Sequence, residues 1–256
     1  MMLATLVIFL LLAICCFASG WHFRKNNTRT CAQKGLASQE GNVQKDLTIF
    51  TAPLYVLNLE RRTDRRDEMT RQVSEHPHVV WIKSVDGKRL INEQLYPDCK
   101  MSPGQIACFM SHALAWESLM KSPSRFGVVV EDDVLITFPF DFVRLNLVLQ
   151  AVEQVAGQSW DIISVGYLND YAGFYEKLGI AAGAGLEVAR LKPGHLMPSG
   201  MCYLVTAHAA RILLKNIGRA CWPVDHYISD GVNRLSIYAT SPSTLGPNHT
   251  NTSDIT

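Results

Sequence analysis

One run constrains this chain more than any other: Phe126-Gly127-Val128-Val129-Val130-Glu131-Asp132-Asp133-Val134, an uncharged, valine-rich stretch that ends in three consecutive acids and then turns apolar again. Short β-branched runs of this kind form buried strands. The carboxylates therefore stand at a strand's carboxyl end. Three adjacent negative charges repel one another, and beside an apolar strand they cost stability unless a cation or hydrogen-bond donors offset them. Hard oxygen ligands suit Mg²⁺ or Mn²⁺, and such an ion would bridge the carboxylates to a diphosphate. The competing explanation is an exposed acidic turn that also caps a helix.

Strands and helices alternate on both sides of this run. Leu54 to Leu59 reads as a first strand, followed by a charged helix from Asp64 to about Glu75, a strand over 79–83 and a turn at Asp86-Gly87. Ser102-Pro103-Gly104-Gln105 is a helix start: serine caps, proline suits the first helical position and glutamine completes a capping box. That helix is expected to reach about Met120, with Ile106, Phe109, Met110, Ala113, Trp116 and Met120 as its buried face. Asp141 is placed to cap a helix ending near Val155. Further strands are expected over 161–165 and 201–205, and helices over 207–217 and from Val224 to about Leu235. The Gly- and Ala-rich stretch 179–194 reads as a mobile loop or lid. The alternation implies an α/β fold, a mainly parallel central sheet covered by helices, with ligands at the carboxyl ends of the strands.

The ends of the chain read differently. Met1 to Phe17 contains no charge and is almost continuously apolar, which marks a targeting segment. Ala18 and Gly20 have the small-x-small pattern of a cleavage site, so residues 1–20 read as a signal peptide or, as second choice, a retained signal anchor. A membrane enters only in the second case. Residues 21–50 lack apolar periodicity and read as a stalk; residues 51–256 are left for one folded domain. Sequons at Asn26, Asn248 and Asn251 fit a lumenal protein of the endoplasmic reticulum or Golgi, or a secreted one. Outside the leader there are five cysteines, Cys31, Cys99, Cys108, Cys202 and Cys221, whose irregular spacing is no zinc pattern. The whole chain has 24 basic and 23 acidic side chains, a balance that gives no field to draw it onto nucleic acid.

Several other residues carry chemistry. Arg62 and Arg65 follow the first strand, at the edge where an α/β sheet binds ligands; they are read as sharing a helical face, and guanidinium forks suit a diphosphate. A salt-bridged helix face explains the same charges. Ser111-His112 lies inside the helix after Pro103, where a lone histidine is usually a hydrogen-bonded core residue. In Trp222-Pro223-Val224-Asp225-His226, Asp225 is placed either as a general base or as a helix cap. No G-x-S-x-G, Walker loop or G-x-G-x-x-G occurs, which weighs against hydrolase, nucleoside-triphosphatase and dinucleotide chemistry.

Taken in order, these segments resemble glycosyltransferase family 25. The marks are Val56-Leu57-Asn58-Leu59 with Arg61-Arg62 and Arg65-Arg66, Val85-Asp86-Gly87, Gly104-Gln105-Ile106-Ala107-Cys108 with Ser111-His112, Glu131-Asp132-Asp133-Val134, Pro223-Val224-Asp225 and Ser253-Asp254-Ile255. The resemblance implies a GT-A-like nucleotide-sugar fold, a divalent cation (Mn²⁺ or Mg²⁺), and inverting transfer of a hexose, commonly galactose, from a UDP-sugar to a hydroxyl of a glycan or glycoprotein. By that analogy Glu131 and Asp133 hold the metal and Asp132 holds ribose. Asn58, Arg62, Arg65, Asp86, Ser111 and His112 line the donor site, and Asp225 is the base. Ala107-Cys108 stands where the family often has Gly-Cys. Pro247-Asn248-His249 replaces an expected Gln, leaving His249 or His226 for a third metal ligand. The alternative is a non-catalytic lumenal module of the same fold that binds a glycan or nucleotide-sugar.

Overall fold

The structure is a computed structural model that describes residues 48–90, 101–137, 140–166, 173–219 and 221–247. The N-terminal apolar run, the stalk up to residue 47, the three sequons, Cys31, Cys99, His249 and Ser253-Asp254-Ile255 lie outside the described residues. Within them, no helix is long and apolar enough to cross a membrane.

The chain alternates as its pattern predicts. A short helix, α1 (Thr48–Thr51), leads into β1 (Leu54–Asn58), α2 (Thr63–Val73), β2 (Val79–Lys83) and a 3₁₀ turn at Gly87–Arg89. Then come α3 (Pro103–Lys121), β3 (Phe126–Glu131), β4 (Val134–Leu135), α4 (Phe140–Ala156) and β5 (Ile162–Gly166). A hairpin of β6 (Tyr175–Gly183) and β7 (Leu186–Leu191) follows. The remaining elements are β8 (Cys202–Thr206), α5 (Ala207–Asn216), α6 (Val224–Ser229), β9 (Ile237–Ser241) and β10 (Gly246–Pro247).

Eight strands form one sheet in the order β2-β1-β3-β8-β5-β9-β7-β6, with helices on both faces. The α/β architecture is the expected one, and it is consistent with a GT-A-like fold. β2, β1 and β3 run parallel, as do β5 and β9, whereas β8 is antiparallel to both its neighbours and the hairpin joins β9 antiparallel. Because side chains alternate along a strand, each central strand feeds two cores. Leu54, Val56, Val128 and Val130 face the layer of α2 and α4; Tyr55, Leu57 and Val129 face that of α3 and α5. Ile49 of α1 is fully buried in the first of these.

The capping box of α3 is present: the Ser102 hydroxyl accepts from the Gln105 N–H at 3.2 Å, and the Gln105 side-chain oxygen accepts from the Ser102 N–H at 2.9 Å. Three local expectations need correction. The buried face of α3 includes Phe109, Ala113 and Trp116, but Ile106, Met110 and Met120 are only half-buried; Ser111 and His112 are buried instead, since partners from other elements satisfy them. The stretch 179–194 is no lid: most of it belongs to the β6–β7 hairpin. Its two turn residues, Ala184 and Gly185, have φ of 50° and 76°, the left-handed pair that a tight hairpin turn requires. The last helix stops at Ser229, because Asp230 leaves helical geometry and the Asn233 side chain donates to the Tyr227 carbonyl at 2.6 Å. Asp141 lies in the first turn of α4 and accepts from the Thr137 N–H at 2.7 Å.

Candidate active site

The carboxyl ends of β2, β1 and β3 meet the start of α3 around a cleft of about 220 Å³. Register explains the convergence. Asn58 ends β1 opposite Lys83 of β2, and Glu131 ends β3 opposite Leu57, so the segments after three parallel strands emerge side by side. The turn after β2 is brought against α3 by Gly87, where a Cβ would lie 2.9 Å from the Pro103 carbonyl oxygen and 3.0 Å from the Gly104 Cα. Only a residue without a side chain allows that approach. It seats Asp86 on the rim, where its carboxylate accepts from the Lys88 N–H at 3.1 Å and from Arg61 Nε at 3.1 Å. Ser111 closes the same corner, accepting from the Val85 N–H at 2.9 Å while its hydroxyl donates to the Ala107 carbonyl at 2.7 Å.

The three acids differ sharply from one another. Asp132 is buried and both its oxygens are engaged: Oδ2 accepts from Asn58 Nδ2 at 2.7 Å and Oδ1 from Arg65 Nη1 at 2.9 Å. Asp133 is partly open to the cleft, and the same Arg65 nitrogen lies 3.1 Å from its Oδ2. Burial, with the neighbouring Glu131 charge, raises the Asp133 carboxyl to about 6, against the pull of Arg65. Asp132 is also raised by burial, but Asn58 and Arg65 oppose the rise. Of these two aspartates, Asp133 is the one whose ionised form the protein compensates less well.

Glu131 is held from the other side. Its Oε1 lies 3.3 Å from His112 Nε2 and 4.0 Å from Cys108 Sγ, two groups one helical turn apart on α3. His112 is fully buried; its Nδ1 is 2.9 Å from the Tyr203 hydroxyl of β8, which also accepts from Trp116 Nε1 at 2.9 Å. Cys108, His112 and Glu131 place three metal-ligand atoms within 4.8 Å of one another. The Cys108 thiol, however, is pushed well up by burial and by the Glu131 charge, so it is not a ready thiolate.

Asp225 approaches this group from α6. A Cβ on Gly200 would lie 3.2 Å from Val224 Cγ1, 3.7 Å from His112 Cε1 and 3.9 Å from Asp225 Cβ, so the glycine lets the start of α6 close on the histidine. Asp225 sits in the first turn of α6 after Pro223; its Oδ1 accepts from the His226 N–H at 3.0 Å. Burial raises its carboxyl, with Glu131 adding to the rise and His226 opposing it.

Of the residues singled out from sequence, Arg65, Asp86, Ser111, Glu131, Asp132 and Asp133 line the cleft, and Asn58 lies beneath, bonded to Asp132. His112 stands behind Glu131 without lining the cleft. Arg62 pairs with Asp64, its Nη2 2.7 Å from Oδ2, because it occupies the N-cap of α2 with non-helical backbone and so does not share a helical face with Arg65. Sequence reasoning passed over three participants. Arg61 fixes Asp86, and its place beside Arg62 was the available signal. Cys108 stands four residues before His112, a spacing that puts the two on one helix face. Tyr203 is a strand residue in an apolar run and gave no signal.

The donor set fits a hard divalent cation. Glu131 and Asp133 present carboxylate oxygens to one cleft in which a half-buried acid, Asp133, lacks sufficient positive charge, and Arg65 is already shared between two carboxylates.

Comparison with known proteins covers the same part of the chain. The profile of glycosyltransferase family 25 (LPS biosynthesis protein) matches residues 51–156, which include β1, α2, β2, α3 and the acidic triplet. The chain is 31% identical over 128 residues to procollagen galactosyltransferase 2 of Mus musculus, covering 44% of this chain and 20% of that protein. It is 32% identical over 155 residues to a glycosyltransferase 25 family member of Anopheles gambiae, covering 49% of this chain and 25% of the relative. The match therefore spans about a fifth to a quarter of the curated relatives' length.

Proposed function

Residues 51–156 match the profile of glycosyltransferase family 25, and from that match we propose that the chain belongs to the family and transfers a hexose, galactose by the names of its relatives, from a UDP-sugar to a hydroxyl of a glycan or glycoprotein, with inversion and with a divalent cation. The observation that carries the reading is the cleft itself. It collects Glu131, Asp133, Arg65 and Asp86 at the carboxyl ends of three parallel strands, where α/β folds bind nucleotides. The uncharged, apolar N-terminal run supports a reaction carried out in the secretory pathway.

Glu131 and Asp133 are the residues that would hold Mn²⁺ or Mg²⁺, which would supply positive charge to the departing diphosphate. Asn58 and Arg65 orient Asp132, and through the shared guanidinium they also hold Asp133 toward the cleft. Arg65 adds fixed positive charge beside the position of the diphosphate, while Asp86, anchored by Arg61, offers an acceptor to the nucleoside. Asp225 is the base. Its carboxylate takes the proton of the acceptor hydroxyl as that oxygen bonds to the anomeric carbon from the face opposite the leaving group. The bond from that carbon to the diphosphate oxygen breaks, and UDP departs with the electron pair. A carboxyl raised by burial is a stronger base than an exposed aspartate once ionised.

The test is a donor screen on purified protein, measuring UDP release from several UDP-sugars with an acceptor hydroxyl present, with Mn²⁺ and with EDTA. One donor turned over in Mn²⁺ and silenced by EDTA supports the reading. Donor binding without turnover would favour a non-catalytic nucleotide-sugar-binding module, and turnover untouched by EDTA would remove the cation.

A further inference from the structure

His112 is fully buried and does not line the cleft, yet it touches Glu131. The direction of the hydrogen bonds around it can be worked out by counting protons. Trp116 Nε1 is a donor only, and it gives its proton to the Tyr203 oxygen at 2.9 Å. The Tyr203 hydroxyl is itself fully buried and must place its one proton on a protein acceptor, and among the described residues the only other partner within reach is His112 Nδ1 at 2.9 Å. Nδ1 is then an acceptor, so the imidazole proton is on Nε2, aimed at Glu131 Oε1 3.3 Å away. The reverse order fails twice: it strands the tyrosine proton in the core and sets a nitrogen lone pair against a carboxylate.

This ordering also reinterprets the grouping of Cys108, His112 and Glu131. With its proton on Nε2, His112 cannot ligate an ion. The thiol of Cys108 lies 4.0 Å from the same oxygen, so α3 sets two donors against Oε1. Among the described residues no protein donor is recorded on Oε2. One oxygen of Glu131 is clamped and the other is left for the cleft. Gly200 lies between the same ring and the start of α6: a Cβ placed there would be 3.7 Å from His112 Cε1 and 3.2 Å from Val224 Cγ1.

We infer that His112 is a positioning residue of the cation site: the buried chain from Trp116 through Tyr203 and His112 fixes which oxygen Glu131 presents to the ion. The inference rests on the cation reading of Glu131 given above. Partners that orient a ligand without touching the metal commonly govern its affinity by about 10- to 100-fold when lost.

The experiment uses the full chain labelled with ¹⁵N-histidine, with the His112 resonances assigned by their loss in His112→Gln. Two-bond ¹H–¹⁵N correlations on the metal-free protein are expected to show His112 with a proton on Nε2 and none on Nδ1. Tyr203→Phe keeps the ring and its packing but removes the donor to Nδ1. It should let the Nδ1-protonated tautomer appear and weaken Mn²⁺ binding, measured by calorimetry, about tenfold. A wild-type His112 protonated on Nδ1 overturns the proposal without need of any variant. So does a Tyr203→Phe protein whose tautomer shifts while its Mn²⁺ affinity does not. Wild-type protein that binds no Mn²⁺ removes the cation reading instead, and the tautomer still decides whether the chain of donors runs to Glu131.

Discussion

The two ends of the central sheet are built on opposite plans. At the β2-β1-β3 end, strands run parallel, and polar groups from three segments lock onto one another: Asn58 after β1, Arg65 on α2, Asp132 after β3. At the β6–β7 end, strands run antiparallel, five of the nine residues of β6 are exposed, and charges pair at the surface, as Lys177 does with Glu187. The first end stores uncompensated charge, since Asp133 is held with its carboxyl raised to about 6. Among the described residues of the second, the charges of Lys177 and Glu187 offset each other at the surface. Sites that bind charged ligands trade stability for function, and here that trade is confined to one edge.

The sharpest test of that contrast is Asp133→Asn. On the proposed reading it removes a carboxylate that stabilises the cation against the departing diphosphate, so UDP release should fall by about a hundredfold or more. Metal-free stability should move the other way. The folded state holds the Asp133 proton up to about pH 6 while the unfolded chain releases it near 4, so the acid weakens the fold as pH rises through that interval. At pH 7, Asp133→Asn should therefore be more stable than the parent by up to about 3 kcal/mol in denaturant melts. A variant both inactive and less stable would show that Asp133 serves the fold. Asp225→Asn should also lose about a hundredfold in turnover, with the KM for the donor unchanged, because it removes a proton acceptor and no donor contact. A raised donor KM with normal turnover would place Asp225 in binding.

The same division governs what the sequence disclosed. The strand ending in Glu131-Asp132-Asp133 was legible because a run of valines and three acids is costly to explain any other way, and the capping box fixed the start of α3 to the residue. The resemblance gave Asp132 and Asp133 different ligands, but the different burial and bonding of the two acids were not legible. They depend on Asn58 and Arg65, which lie 74 and 67 positions away in the chain from Asp132 and meet it only through the sheet. Arg62 misled because its helical face was counted from a helix that begins one residue after it. The hairpin was hidden by its glycines, whose positive φ serves turns and bulges within strands as readily as loops. Tyr203 could not be found, since its role is a proton placed across the sheet and nothing in Cys202-Tyr203-Leu204-Val205 marks it.

A smaller effect is expected from Gly87→Ala. The added methyl would meet the Pro103 carbonyl at 2.9 Å and the backbone of Gly104 at 3.0 Å, neither of which is a flexible chain end. Overpacking of that kind costs about 1–3 kcal/mol, and because Gly87 sets the distance between Asp86 and α3, the donor KM should rise with it. Stability lost with an unchanged KM would separate the turn from the cleft. Trp222 provides a milder test of the other side: it is 56% exposed three residues before Asp225, a large apolar surface next to the proposed base. Trp222→Ala should raise the KM for the acceptor severalfold and leave the donor KM alone.

The smallest effect belongs to the hairpin, and it completes the contrast. Lys177 is 62% exposed in its pair with Glu187 at 3.2 Å, so water and salt screen most of the attraction. Exposed pairs contribute about 0.2–1 kcal/mol, and Lys177→Ala should lie at the low end of that range and be insensitive to added Mn²⁺. Glu187 has a second duty, accepting from the Gly179 N–H at 2.9 Å across a register shift in the β6–β7 ladder. Glu187→Ala should therefore cost more than Lys177→Ala, because it removes the hydrogen bond to the Gly179 backbone as well as the ion pair. Equal costs would make the ion pair the main bond of the hairpin. A loss of UDP release in either variant would extend the proposed functional edge of the sheet to its other end.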